Sequence, residues 1–298
     1  MAQKKASQSE LENLTSPEIK KIIENITKEY GEGIITTLGE SKFKDQPTLS
    51  TGSIILDHET GGGYPLGRIV EIYGENSSGK TTLALHANIG VDIDGLLVLR
   101  PRHGEEAFKL VTDFIRGGAG LIVIDSIAPL IPLELLGNWE RPPIGAHAKM
   151  LNNGLRQINH EMTNRETIII FINQIRYKIP TGFTFGNPET TTGGASLPYY
   201  ASLRIKLKNK KEEVEKGGKY IGIKICAWVL KRRAILSQVS SKDKKKPTDI
   251  ELMFEGGIQK EREIFDLATE LNIIQKSENP ELYQKIEQEV FETINADK

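Results

Sequence analysis

Residues Gly74 to Thr82 read Gly-Glu-Asn-Ser-Ser-Gly-Lys-Thr-Thr, set between an apolar run, Ile69 to Tyr73, and a helical run, Thr81 to Asn88. This is a phosphate-loop motif in its strand–loop–helix context, and it restricts the fold more than any other feature of the chain. The loop works only where a strand delivers the chain and a helix N-terminus receives it, so that backbone N–H groups and the helix dipole converge on an anion. On that pattern the backbone of Gly74, Glu75, Asn76, Ser77, Ser78, Gly79 and Lys80 cradles the phosphates of ATP. Lys80 pairs with the β and γ oxygens, Thr81 holds Mg²⁺, and Thr82 completes the helix start. Leu-Ile-Val-Ile-Asp, ending in Asp125, fits a strand whose carboxylate reaches the same Mg²⁺ through water.

Around the loop the chain alternates in the manner of a parallel α/β sheet. Ile69–Tyr73, Leu96–Arg100, Leu121–Asp125 and Thr167–Ile172 are apolar without alternation, as expected of strands covered on both faces. The strand ending Phe171-Ile172-Asn173-Gln174 closes on two amides. An amide at that edge can touch a γ-phosphate and pass its presence to the following segment, Ile175 to Gly194. A helix from about His147 to Met162 carries Ala148, Leu151, Leu155, Ile158 and Met162 on one face, with Lys149, Asn152 and Arg156 on another. Ser202–Lys208 and Tyr220–Val229 alternate as an antiparallel hairpin. At the front, Ser16 caps and Pro17 starts a helix to Tyr30 with an Ile19, Ile22, Ile23 and Ile26 stripe, which requires a partner surface. Glu261–Lys298 reads as two amphipathic helices parted near Asn279-Pro280.

Composition narrows the class. The apolar and charged fractions of 38% and 27% are those of an ordinary globular protein. No apolar run approaches the ~20 residues of a membrane helix, and the N-terminal residues have no signal-like apolar segment, so a cytoplasmic location is expected. A single cysteine, Cys226, forms no internal disulfide, in keeping with a reducing compartment. The net charge of -1 hides a strong asymmetry: Arg204–Lys246 is net +11 and Pro247–Lys298 net -8. Such a split fits a polyanion-facing region beside an acidic tail, or a solvated lysine-rich hairpin.

The chain resembles the bacterial RecA family of strand-exchange recombinases along most of its length. The residues that carry the resemblance are Ser50-Thr51-Gly52-Ser53, Gly67 to Gly74, the phosphate loop, Val123-Ile124-Asp125-Ser126, Phe171 to Arg176, and Phe185-Gly186-Asn187-Pro188-Glu189-Thr190-Thr191-Thr192-Gly193-Gly194. The last block is the most specific. The resemblance implies a RecA-type P-loop core with a mostly parallel sheet over 33–258, an N-terminal polymerisation arm over 1–32, and a reduced C-terminal helical domain over 259–298. It implies ATP and Mg²⁺ as cofactors, single- and double-stranded DNA as partners, a helical homo-oligomeric filament, and roles in recombination, repair and the SOS response. Carried over by position, the first DNA loop is Asn138–Gly145 with Ile144 as a wedge between bases. Lys149, Asn152, Arg156, Arg176, Lys178, Ile179, Gly193 and Gly194 hold single-stranded DNA. Lys80 and Gln174 are the catalytic and coupling groups. For the family's charges across the subunit interface to the nucleotide, one alignment puts Ala227 and Val229 in place and loses the contact; another, with an insertion, puts Lys231 and Arg233 there, and it is preferred because it keeps charges two apart on one strand face. Basic side chains and backbone amides on loops are chemically suited to gripping a strand without reading its sequence.

Two departures accompany the resemblance. After Leu83-Ala84-Leu85-His86-Ala87-Asn88 the chain passes directly to Ile89–Leu96, so the strand bearing the family's water-activating glutamate is missing. Glu75, Glu105 and Glu106 are the available substitutes, and Leu96–Arg100 is the strand that could close the gap in the sheet. The C-terminal region lacks the family's strand-rich middle. A recombinase is therefore the first expectation; a non-hydrolysing subunit that binds ATP and DNA is the second, and an ATPase unrelated to DNA the third.

Overall fold

The computed structural model describes residues 16–30, 46–86, 96–137, 143, 145–177, 189–216, 218–233, 247–254 and 257–270. Among the described residues, 16–30 and 46 belong to one unit and the others to a second. The first contains α1 (Pro17–Tyr30), which begins where expected, Ser16 Oγ accepting from the Ile19 N–H at 3.4 Å. Its isoleucine stripe is open: Ile19 and Ile22 are 46% and 54% exposed.

The second unit is an α/β domain. Its elements in chain order are β1 (Thr48–Leu49), α2 (Ile54–Thr60), β2 (Tyr64–Pro65), β3 (Ile69–Gly74), α3 (Lys80–His86), α4 (Gly104–Arg116), β4 (Leu121–Ile124), α5 (Ala146–Glu161), β5 (Ile168–Tyr177), β6 (Glu189–Thr191), α6 (Ser196–Tyr200), β7 (Leu203–Lys216), β8 (Lys219–Arg232), β9 (Thr248–Met253), β10 (Gly257–Ile258) and α7 (Lys260–Glu270). The main sheet runs β10-β9-β8-β7-β3-β5-β4. Its central four strands, β7-β3-β5-β4, are parallel, as the apolar runs require. The β8, β9 and β10 strands extend it antiparallel.

Both faces of the sheet are covered. Ile168, Ile170 and Ile172 of β5 join Val70 and Ile72 of β3 in a core with Leu56 and Leu83 from α2 and α3. The intervening Ile169 and Phe171, with Ile69, face Phe108, Val111, Leu151, Leu155 and Ile158 from α4 and α5. Each such side chain contributes roughly 1.5–3 kcal/mol on burial. Local signals set the helix ends. Ser53 Oγ accepts from the Leu56 N–H, and Gly61 closes α2 in the left-handed region at φ 79°. The His103 imidazole caps α4 by accepting from the Glu106 N–H at 3.2 Å.

Several expectations need correction. Leu96–Arg100 is not a strand: among the described residues it pairs with none, and Leu97 and Val98 are each 72% exposed. An apolar run becomes a strand only when a neighbouring edge takes up its N–H and C=O groups. Among the described residues β4 ends the sheet, with half-buried side chains, and this run does not pair with its free edge. The segment from Ile175 to Gly194 is not loop throughout. Ile175 to Tyr177 continue β5 and pair with β6, leaving 178–188 outside the described residues. The hairpin is longer than its alternation suggested, reaching Lys216 and starting again at Lys219. Of the two C-terminal helices α7 is described, and the second lies outside the described residues. No described helix is long and apolar enough to cross a membrane.

Candidate functional site

The phosphate loop leaves the carboxyl end of β3 and enters α3, with β5 and β7 flanking β3 on either side. Its curvature rests on small residues. Ser77 and Gly79 take positive φ values of 57° and 78°. A Cβ on Gly74 would stand 2.2 Å from the Leu207 carbonyl oxygen, so the loop lies directly on β7. Lys80 is 9% exposed and Ser78 1%. The Lys80 ammonium donates to the carbonyls of Gly74 and Glu75 and to Ser78 Oγ, folding back over the loop. Burial lowers its pKa, an effect partly offset by the Asp125 and Glu75 carboxylates. The loop is thus a closed cradle around a buried cation, with α3's N-terminus behind it, and suits a polyphosphate.

Thr81 and Asp125 meet as the motifs require. Thr81 Oγ1 donates to Asp125 Oδ2 at 2.6 Å, and both residues are exposed. A hydroxyl and a carboxylate at this spacing beside a phosphate cradle are the oxygen donors that Mg²⁺ prefers. Glu75, Asn76 and Ser77 form the exposed rim, and Thr82 lies exposed on α3. Of the three substitutes for a water-activating glutamate, Glu75 is exposed on the loop's rim and the other two are engaged elsewhere. Glu106 binds Arg102 through the backbone at 2.6 Å and the guanidinium at 3.1 Å, while Glu105 accepts from the Leu133 N–H at 2.8 Å.

Gln174 stands beside Gly74 in the β3–β5 register and is half-buried, so of the two amides it is the one next to the phosphate loop. Asn173 is buried and its polar atoms are all engaged within the fold.

Part of the expected DNA-binding set converges. A Cβ on Gly193 would lie 2.0 Å from Leu151 Cδ1, and one on Gly194 3.8 Å from Ala148 Cβ, so the Gly-Gly turn rests on α5. Ser196 Oγ donates to Asn152 Oδ1 at 3.5 Å, and Arg176 Nε to Thr192 Oγ1 at 3.4 Å. Lys149 and Arg156 project from α5 into solvent. Ile144, Lys178 and Ile179 lie outside the described residues. Lys231 and Arg233 reach the same carbonyl, that of Tyr199, at 2.9 and 3.4 Å. Lys231 sits level with Glu71, three residues short of Gly74 along β3, while Arg233, just past β8, donates its N–H to the Ser202 carbonyl at 2.8 Å. Burial, helped by Arg233 and Arg204, pushes the Lys231 pKa down to about 8.

Two polar residues beside the loop escaped the sequence reading. Glu71 is fully buried in β3 and paired with Arg204 at 2.5 Å. Its signal was available, since a lone acid inside Ile-Val-Glu-Ile-Tyr must be partnered if the strand is buried. Asn209 donates to the Ser77 carbonyl at 3.1 Å and accepts from the Lys211 N–H at 2.7 Å. Nothing local marked it, because the contact depends on the hairpin register.

The RecA N-terminal domain family matches residues 17–89 and 86–259, two stretches that meet where the phosphate-loop helix passes into the Ile89 run. The chain is 38% identical to Protein RecA of Mycoplasma mycoides subsp. mycoides, over 95% of this chain and 89% of that protein. It is 37% identical to Protein RecA of Macrococcus caseolyticus, with 86% and 78% covered, and 37% identical to Protein RecA of Bacillus licheniformis, with 86% and 79% covered. Phosphate loop, Asp125 strand and Gly193–Gly194 turn therefore share one descent: the chain belongs to the RecA family.

Proposed function

We propose that this chain is a RecA-like recombinase that binds ATP with Mg²⁺ and single-stranded DNA, assembles head to tail, and pairs homologous DNA in recombination and repair. The observation that carries this reading is the placement of Gln174. It neighbours Gly74 on one side and leads through β5 and β6 to the Gly193–Gly194 turn on α5, so one short path joins a phosphate site to a DNA-facing surface. Gly74 to Thr81 would hold the triphosphate, Thr81 and Asp125 the metal, and Arg176, Lys149, Asn152, Arg156, Gly193 and Gly194 the strand. Bound ATP supplies a γ-phosphate whose presence distinguishes it from ADP. Gln174 reports that difference to the segment following β5. Lys231 and Arg233, at the other end of β3 from the loop, are placed to act on a neighbouring subunit's nucleotide.

Hydrolysis is the separable part of the proposal. A positioned general base contributes about 10²- to 10⁴-fold in rate, and the engagement of Glu105 and Glu106 at the start of α4 favours a second reading, a subunit that binds ATP and DNA but turns over slowly. ATP turnover with and without single-stranded DNA, compared between wild type and Lys80→Ala, decides between the two. DNA-stimulated turnover that vanishes in Lys80→Ala supports the recombinase. Lys80-dependent nucleotide binding without turnover supports the non-hydrolysing subunit. A protein that binds DNA under neither nucleotide overturns both.

A further inference from the structure

Glu71 and Asn173 are both fully buried, on neighbouring strands and on the same sheet face as Ile69 and Phe171. A buried carboxylate persists only when its oxygens are satisfied. Here Oε1 accepts from Asn173 Nδ2 at 2.9 Å and Oε2 from Arg204 Nε at 2.5 Å. The Arg204 guanidinium also lies 4.8 Å from the centre of the Tyr73 ring, which holds it in place.

Asn173 is equally committed. Its Nδ2 donates a second time, to the Thr192 carbonyl at 3.1 Å, and its Oδ1 accepts from the Gln174 N–H at 2.8 Å. The orientation of the amide is fixed by chemistry, since a carboxylate and a carbonyl only accept while a backbone N–H only donates. The Thr192 N–H returns a bond to the Gln174 carbonyl at 3.3 Å. One side chain therefore ties the main chain of Gln174, next to the phosphate loop, to the main chain of Thr192, next to the Gly193–Gly194 turn. Glu71 anchors it from behind, and Gly193 packs directly on Leu151, where an added Cβ would stand 2.0 Å from Cδ1.

We propose that Asn173, held by Glu71, is the positioning residue that carries nucleotide state from Gln174 to the Thr192–Gly194 segment. A linkage without slack passes a displacement at one end to the other or breaks, which is the two-state behaviour that coupling between sites demands. The inference rests on the nucleotide-dependent DNA binding proposed above.

The test is fluorescence anisotropy of a labelled oligothymidylate titrated with protein in a non-hydrolysable ATP analogue and in ADP, with nucleotide affinity measured separately without DNA. The ratio of the two DNA affinities, typically about 5- to 150-fold for coupled sites, should fall towards one in Asn173→Ala while nucleotide affinity stays at the wild-type value. Glu71→Gln keeps an acceptor for Asn173 but permits the flipped amide, and should give an intermediate ratio. It stands in for Asn173→Ala if that variant fails to fold. A purely structural role would weaken both DNA affinities together and leave the ratio intact, which overturns the proposal. A wild-type ratio of one overturns the nucleotide-dependent reading and the bridge with it; a normal wild-type ratio that neither variant changes overturns the bridge alone.

Discussion

Side chains around the phosphate loop take their places from two sources, the loop's own geometry and the register of the strands beside it. Lys80 and Thr81 are set by the loop itself, and Asp125 by the apolar run it ends. Asn209 and Glu71 meet partners more than a hundred positions away, Ser77 in one case and Asn173 and Arg204 in the other. The two loop glycines separate local from tertiary constraint. Gly79 needs its left-handed φ, and an added Cβ would strike Leu252 Cδ1 at 2.6 Å, the movable end of a side chain. Gly74 opposes a backbone oxygen that belongs to the β3–β7 ladder. Gly74→Ala should therefore cost about 2–3 kcal/mol in urea denaturation, and Gly79→Ala about 1–2 kcal/mol, with nucleotide binding lost in both. Lys231 gives a pH prediction. With a folded-state pKa near 8, below the ordinary lysine value, the folded protein releases this proton before the unfolded chain does. Below about pH 8 both states hold the proton and the burial penalty is complete; stability then rises with pH until the unfolded lysine also titrates, near 10.5. Urea midpoints compared at about pH 7.5 and 9.5 should show that rise in wild type and a flatter one in Lys231→Met.

At the scale of elements, the strands buried on both faces were readable from composition because nothing but continuous apolar sequence suits them. Ile69–Gly74 and Ile168–Ile172 are the cases in point. Leu96–Arg100 has the same composition and no partner, so composition alone misassigned it. The α4 helix was missed although Ala107, Phe108, Val111, Thr112 and Ile115 recur at helical spacing, and β9 was missed although Ile250 and Leu252 alternate with acidic residues. What no periodicity reveals is how α7 is fastened to α2. Glu263, 4% exposed, accepts from Ser53 Oγ and from the Ile54 N–H, both at 2.7 Å, capping α2 from an element 209 positions away. Burial raises its pKa, against the pull of these donors. Glu263→Ala leaves the Ile54 N–H and the Ser53 O–H without their acceptor and should cost about 2–3 kcal/mol. Glu263→Gln, which keeps one acceptor, should cost less. Because the folded-state pKa is raised, the carboxyl favours the folded state most when protonated, and wild type should lose stability as pH rises through that pKa. In Glu263→Gln that loss is absent, as urea titrations across the mildly acidic range can show.

At the scale of the whole molecule, the exposed stripe of α1 and the position of Lys231 and Arg233 point towards the same arrangement. A helix whose Ile19 and Ile22 remain about half exposed gains stability only by covering them, and a second copy is the surface that head-to-tail assembly offers. In the proposed head-to-tail assembly, Lys231, level with Glu71 rather than with the phosphate loop, would meet a neighbour's nucleotide while each subunit keeps its own loop free. If assembly uses α1, Ile22→Asp should leave the folded domain and its nucleotide affinity intact. It should abolish the large species that the proposed assembly predicts in light scattering of wild type with single-stranded DNA and an ATP analogue. DNA binding should then lose its cooperativity, since each subunit would engage the strand alone. Lys231→Met combined with Arg233→Met should instead still assemble in the absence of nucleotide but respond less to it, if the charges act on phosphate as proposed rather than on the helix stripe. Wild-type scattering from the Ile22→Asp protein would exclude α1 from the contact and leave its exposed isoleucines to be covered by another partner.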